Sequence, residues 1–460
     1  MTAPPAAPGR LWDPGYRLRL IGVVSLVTVV AVEAMAIVTI MPTVEDELGD
    51  LYLYGWAFSA FSLGHIVGTI VGGRSADRMP LLVPLMSGLT LFGAGLAVGG
   101  VAPSMWVLVA GRTLQGLGGG AVVAVAYVCV GRGFPESLRP GVFAVMSTAW
   151  VLPSLISPLA ASLVADAFGW RWVFLGLIPV TAAVGVLGVR SLRDLSRPVD
   201  HDLVPDQAHV LAVVRLAVGT GLVLAGLSTD SVWLVVLAVA VGGVVALPAF
   251  VSLTPPGTLR AARGLPAAVI TRGALTFAFF AADSFISLAI TDARGSTTTV
   301  AAIVLATSSF TWTAGAWIQA RRAESWGPSR LVALGGACLA VGLVGYALSL
   351  WPAVPLWCWG LASATCGLGM GLAYAPLSLV TLAQADPDRQ GEATSSLQMT
   401  DMLGNALGAG IGGALVTLGA TLGQAEWVAL AELFGVAALM AVIVAVLAPR
   451  LRAPDRSVVA

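Results

Sequence analysis

The length of the apolar runs constrains this chain more than any other feature. Stretch after stretch of about twenty residues is apolar without alternation, with short polar intervals between. About twenty residues is what an α-helix needs to cross a hydrocarbon core roughly 30 Å thick, whereas a membrane strand needs about ten, alternating in polarity. A helix also satisfies its own backbone N–H and C=O groups, which lipid cannot do. Only 10% of the residues are charged, against about 25% in a soluble domain, so most side chains face lipid or one another. The expected fold class is therefore all-α integral membrane.

Counting runs between polar punctuation predicts 14 transmembrane helices. An even number returns the chain to its starting side, and the arginines test this, because cytoplasmic loops accumulate positive charge. All 24 basic residues are Arg; nineteen fall in the tails and loops of one side, from Arg10 to Arg456, and only Arg171 and Arg294 on the other. Both termini are expected in the cytoplasm, which makes this a multi-pass protein of a bacterial inner (plasma) membrane. The Pro-rich start has no cleavage pattern behind its first apolar run and reads as a tail, not a signal peptide. An acidic turn, with Glu45, Asp46, Glu47 and Asp50 just past the first helix, reads as a solvated external loop.

The polar intervals at 191–209 and 254–264 enclose only two helices. Setting that pair aside leaves six helices on each side, the 6+6 plan of transporters built from repeated bundles around a central cavity. The expected organisation is a cytoplasmic tail (1–17), a six-helix bundle (18–189), a linker (190–209), two additional helices (210–253), a linker (254–265), a second six-helix bundle (266–448) and a tail (449–460). Two internal echoes support the repeat. Glu33 and Asp283 each precede the expected outer end of their helix by about nine residues, and Gly73, Asp77 and Arg78 are echoed by Gly315, Gln319 and Arg321.

A charge at the bilayer centre costs from about 2.5 to more than 10 kcal/mol, so each intramembrane ionisable residue is a functional candidate. Glu33, His65, Arg112, Asp283 and Asp401 qualify; Arg215 and Arg272 lie near expected cytoplasmic helix starts, where a long side chain can snorkel to the interface. Arg112 lies close in depth to Glu33, which permits a salt bridge. His65 is either a link in a proton relay to Glu33 or a hydrogen-bonded packing residue. Asp401 either lines the cavity or pairs with a neighbour such as Asn405. The four cysteines all sit inside apolar runs without paired spacing, which points to packing and not to a disulfide or a metal site.

The string from Arg112 through Gln115 and Gly116 to Gly120 resembles the fourth-helix motif of the major facilitator superfamily. Gly73, Asp77 and Arg78 match that superfamily's motif between the second and third helices, where an acid and an arginine latch the two halves; Met79, Pro80 and Leu81 then replace its usual Gly and basic residues. The fifth helix, with Pro153, Pro158 and a closing Gly169-Trp170-Arg171-Trp172, resembles the antiporter motif, with Ser157-Pro158 where Gly-Pro is usual. Glu33, followed by AMAIVTIMP, resembles the first-helix motif of the fourteen-span drug:proton antiporter branch.

The resemblance implies an efflux antiporter that exports lipophilic or cationic small molecules by alternating access, driven by the proton gradient with no cofactor. Its partners would be a small-molecule substrate, protons and the lipid bilayer, with the chain working as a monomer. Proton coupling falls to Glu33, Asp283, Arg112, His65 and Asp401, and gating to Gly73, Asp77, Arg78, Gln115, Gly116, Pro153 and Pro158. Two other uses of the scaffold stay open: nutrient uptake by proton symport, and lipid or metabolite export. A membrane-embedded enzyme would show a catalytic cluster near one interface, which the acids at 45–50 do not form for want of a His or Cys partner. A transporter-like sensor would bind without flux. Net charge zero offers nothing to nucleic acid, and the absence of a P-loop argues against ATP.

Overall fold

The computed structural model describes residues 11–49, 53–195, 207–227, 229 and 231–452. Residues 1–10, Asp50, most of the expected linker 190–209 and the tail beyond residue 452 lie outside that set. The described chain is helical throughout. Helices α1 (Pro14–Leu48), α2 (Tyr54–Arg78), α3 (Leu82–Gly100), α4 (Met105–Gly133), α5 (Arg139–Phe168) and α6 (Arg171–Leu192) enclose one apolar core, centred on Leu26, Ile37, Phe92, Val125 and Phe174. Helices α7 (Gln207–Leu227) and α8 (Val232–Leu253) follow. A second core, around Leu275, Leu339, Tyr346, Trp359 and Phe434, is enclosed by α9 (Leu265–Asp283), the short α10 (Ile286–Leu288), α11 (Thr298–Ser349), α12 (Trp357–Gln384), α13 (Gln390–Thr421) and α14 (Glu426–Leu447).

Among the described residues, twelve helices are long and apolar enough to cross a membrane, where the sequence predicts fourteen. The two expected spans at 298–318 and 331–350 are both helical and are described together as α11, two helices divided where Gly327 adopts φ 69° ahead of Pro328. Helix α5, 30 residues long, lies partly outside the described side chains and is not one of the twelve. A second departure is at the acidic turn. Helix α1 continues through Glu45, Asp46 and Glu47 instead of ending at residue 41. Arg171 and the Trp170 indole N–H, 2.8 Å away, both donate to the Glu47 carboxylate, so the acid anchors a helix end.

Close helix packing in the first bundle follows from glycines at spacings of four. Gly64, Gly68 and Gly72 of α2 face Gly116, Gly120 and Ala121 of α4, and a methyl group at most of these positions would run into the opposite backbone. Helices α7 and α8 bury little of their surface; α8 presents Trp233, Leu237 and Val244 outward. Their inner faces join Ile66 and Ile70 of α2 with Met399 and Leu403 of α13 in a small third cluster. The pair therefore lies across the seam between the two bundles.

Candidate functional site

The first bundle holds a buried ion pair. Glu33 comes from the middle of α1 and Arg112 from α4, and both side chains are almost wholly excluded from solvent. Arg112 Nη1 donates to Glu33 Oε1 and to Gln115 Oε1, the latter at 2.5 Å. Arg112 Nε donates to the Ala57 carbonyl of α2 at 3.3 Å, and the guanidinium lies 4.3 Å from the centre of the Phe61 ring. Gln115 Nε2 in turn donates to the Gly95 carbonyl of α3 at 3.0 Å.

The fourth-helix motif thus has a local explanation. A spacing of three puts Gln115 beside Arg112 on one helix face, and the bare Gly116 lets α2 come close enough for Ala57 and Phe61 to meet the guanidinium. The outcome is a charge pair tied to α1, α2 and α3. One valence stays open, because Glu33 Oε2 has no hydrogen-bond partner among the described residues.

His65 is buried nearby, one turn along α2 from Phe61, and packs on that ring with centroids 5.8 Å apart. Its Nδ1 lies 3.4 Å from Thr69 Oγ1, which donates to the Gly120 carbonyl. Phe61 therefore touches both Arg112 and His65. No hydrogen bond links His65 to Glu33 among the described residues.

A second buried pair stands in the other bundle, and it joins a residue the sequence reading discounts. Instead of snorkelling toward the interface as expected, Arg272 is fully buried, with Nε donating to Asp401 Oδ1 at 3.0 Å. The Tyr374 hydroxyl donates to Asp401 Oδ2 at 2.8 Å, and Arg272 Nη1 donates to the Tyr374 carbonyl at 2.5 Å. Asp401 is thus satisfied by an arginine and a tyrosine, not by Asn405. Arg272 lies seven residues into α9, about 10 Å along the axis, deep enough to meet α13 and α12 instead of water. The signal for it in the sequence is Asp401 itself, since a deeply placed acid requires a counter-charge.

Asp283 is placed differently from Glu33. It ends α9 at a break in the helix, is half-buried, and makes no ion pair or hydrogen bond through its carboxylate among the described residues. Arg215, discounted with Arg272, is exposed.

The two bundles meet at the face that carries both described chain ends. Asp77, at the end of α2, accepts hydrogen bonds from the backbone N–H groups of Gly391 and Glu392, each at 2.8 Å, and so caps the first turn of α13 in the opposite bundle. A capping carboxylate at a helix N-terminus satisfies orphan donors and complements the helix dipole. Arg132 Nη2 of α4 donates to the same carboxylate at 2.7 Å, while Arg78 is exposed. A methyl group at Gly73 would collide with the Gly391 carbonyl and the Ser395 hydroxyl, so Gly73 is required by backbone-to-backbone contact across the seam.

The sequence echo at Gly315 and Gln319 falls at the matching place. Gln319 Nε2 of α11 donates across the seam to the Pro140 carbonyl in the first turn of α5, at 3.3 Å. Pro153 and Pro158 lie inside α5 further from this face. Two aromatic rings border the ion pairs: Phe61 touches Arg112, and Trp312 touches the Tyr374 ring at 5.4 Å between centroids.

Comparison with known proteins agrees with this architecture. The family model described as Major Facilitator Superfamily matches residues 23–409. A probable multidrug-efflux transporter of Mycobacterium tuberculosis is 27% identical over 82% of this chain and 83% of its own. A multidrug transporter protein of Bacillus subtilis is 29% identical over 40% of this chain and 35% of its own. Among solved structures, a human organic anion transporter superposes with a TM-score of 0.68 at 15% identity, covering 93% of this chain and all of that one. A proton:xylose symporter superposes with a TM-score of 0.66 at 13% identity, covering 93% and 94%. From residue 23 to residue 409, across both bundles and the seam between them, this chain belongs to the Major Facilitator Superfamily, a family of transporters and not of enzymes.

Proposed function

We propose that the protein is a proton-coupled efflux antiporter for lipophilic or cationic small molecules, and that Glu33 carries the exchanged proton. The observation that bears most weight is the Glu33 carboxylate itself, fully buried, with one oxygen on Arg112 and the other without a partner among the described residues. Moving a proton onto the open oxygen neutralises the acid and frees Arg112 to rearrange. A cationic or polarisable substrate that competes for the ionised acid then exchanges with the proton. Asp401, clamped by Arg272 and Tyr374, is the matching acid of the second bundle, and Asp283 and His65 remain members of the proposed path. The names of the relatives described as multidrug transporters support export over uptake.

Both halves of α11 lie against the same stretch of α12, Gly315 beside Leu368 and Gly371 and Gly335 beside Gly369 and Ala373, so the chain folds back at Gly327. We take the break at Gly327 as the loop between two crossings and α5 as a further one, which gives fourteen spans with α7 and α8 as the additional central pair. The face with the chain ends is taken as cytoplasmic. The hydrogen bonds that join the bundles at Asp77, Ser395, Thr148 and Gln319 all lie toward that face, which fits an outward-open state closed inside by the Asp77 and Gln319 contacts. The protein is taken to work as a monomer in a bacterial inner membrane.

The test uses everted vesicles from cells expressing the wild type or Glu33→Gln, loaded with a pH-sensitive dye and challenged with lipophilic cations. Proton release that depends on the added compound in the wild type and vanishes in the variant is expected. A wild type that answers no cation overturns the drug-antiport reading.

A further inference from the structure

On the flank of the first bundle, a groove of about 520 Å³ runs between α3 and α6. None of the residues placed at the ion pairs or at the seam lines it. Its walls are apolar, with Leu89 and Gly93 on α3 and Gly185 and Val189 on α6, spaced four apart so that each set shares a helix face. The width comes from missing side chains: a methyl group at Gly93 would meet nothing within 4 Å.

The groove has a polar end and an apolar end. Arg190 and Arg193 line it where α6 finishes, on the face that carries the chain ends, and both are exposed. Neither makes an ion pair or hydrogen bond through its side chain among the described residues. Asp194 is also exposed, but it does not line the groove. From Ile178 at the far end to Arg190 is a rise of about 18 Å, close to half the thickness of a hydrocarbon core of roughly 30 Å. The groove therefore reaches from one interface to about the midplane, the depth of a single leaflet.

We propose that this groove binds one acyl chain of an anionic phospholipid whose phosphate rests on Arg190 and Arg193. The apolar channel matches the chain in depth, and two guanidinium groups three residues apart at the interface match the phosphate in charge and in fork geometry. The occupant is a membrane lipid, since a free anion would leave the apolar length unfilled and a lipophilic cation would be repelled at the mouth. The site is separate from the transport path.

The test reconstitutes the full chain in vesicles of equal phosphatidylglycerol and phosphatidylcholine, extracts it in mild detergent, and counts retained lipids by native mass spectrometry. Retained phosphatidylglycerol is expected to exceed phosphatidylcholine, each arginine contributing roughly a fivefold preference. The double variant Arg190→Gln with Arg193→Gln should keep a bound lipid but lose the preference. Gly93→Phe, which fills the groove, should lose one bound lipid while its thermal unfolding stays that of the wild type; Ala182→Trp serves as a second filler if that variant folds poorly. A wild-type lipid ratio equal to that of the vesicle overturns the proposal. So does a double variant with unchanged preference, or filled grooves that retain the full lipid count. Displacement of the adduct by a lipophilic cation, with no dependence on the two arginines, would also overturn it by assigning the groove to apolar compounds.

Discussion

Replacing Asp77 with Asn tests the seam most directly. The carboxylate accepts two backbone N–H donors from α13 and one guanidinium N–H from Arg132, at 2.7–2.8 Å. The amide introduced by Asp77→Asn would keep a single carbonyl acceptor, so at least one charge-assisted hydrogen bond and the attraction to Arg132 disappear. Hydrogen bonds to charged groups contribute about 1.5–3 kcal/mol each. Since the bonds to α13 can exist only while the bundles touch at this face, a loss of about 2 kcal/mol falls almost wholly on the closed state. At about 1.4 kcal/mol per factor of ten, the ratio of open to closed at this face should rise roughly thirtyfold. The assay is a pair of spin labels at Arg78 and Asp388, both exposed on either side of the seam, with distances read by pulsed electron resonance in lipid. A shift of the distribution toward longer separations in Asp77→Asn is expected. An unchanged distribution would refute the assignment of Asp77 as a latch and leave it as an ordinary helix cap.

Other perturbations follow from the same contacts. Asp401→Asn should destabilise the protein by about 3–5 kcal/mol by leaving Arg272 buried without its counter-charge, read as a lower midpoint of thermal unfolding; a paired Arg272→Met, Asp401→Leu variant should recover most of that loss while abolishing coupled flux. Gly116→Ala drives a methyl group at the Phe61 carbonyl and should cost about 1–3 kcal/mol, whereas Gly93→Ala, with open space before it, should unfold like the wild type. His65→Leu removes the 3.4 Å contact to Thr69 and the ring contact with Phe61 and should weaken compound-dependent proton release; a dye response equal to the wild type would take His65 off the proton path.

The helical membrane character is legible because it rests on the length of the apolar runs, a property of the sequence alone. The Glu33–Arg112 pair is legible because two opposite charges at similar depth in apolar helices have few alternatives to meeting. The Gly315–Gln319 echo locates the second cross-bundle contact, since a repeat places equivalent residues at equivalent ends. Three things are not legible. Arg272 escapes because its depth, measured from a helix start, ignores the partner helices that cover it. The partner of Asp77, Arg132, escapes because which arginine turns toward the carboxylate depends on the packing of α4, remote in sequence. The end of α1 lies beyond its expected place, because the acids of residues 45–47 resemble a loop until Arg171 and Trp170 are seen to hold Glu47.

The contact of Gly73 with Gly391 has a mechanical consequence. Where side chains bridge two bodies, rotamers can stretch and the contact weakens by degrees. Here two backbones touch with no side chain between them, and dispersion across such a surface loses a quarter to a half of its strength over a gap of about 0.5–1 Å. The hydrogen bonds to Asp77, one turn along the same helix, fail over a similarly short distance. At this point the seam has little elastic range: where Gly73 meets Gly391 it is shut or it is parted.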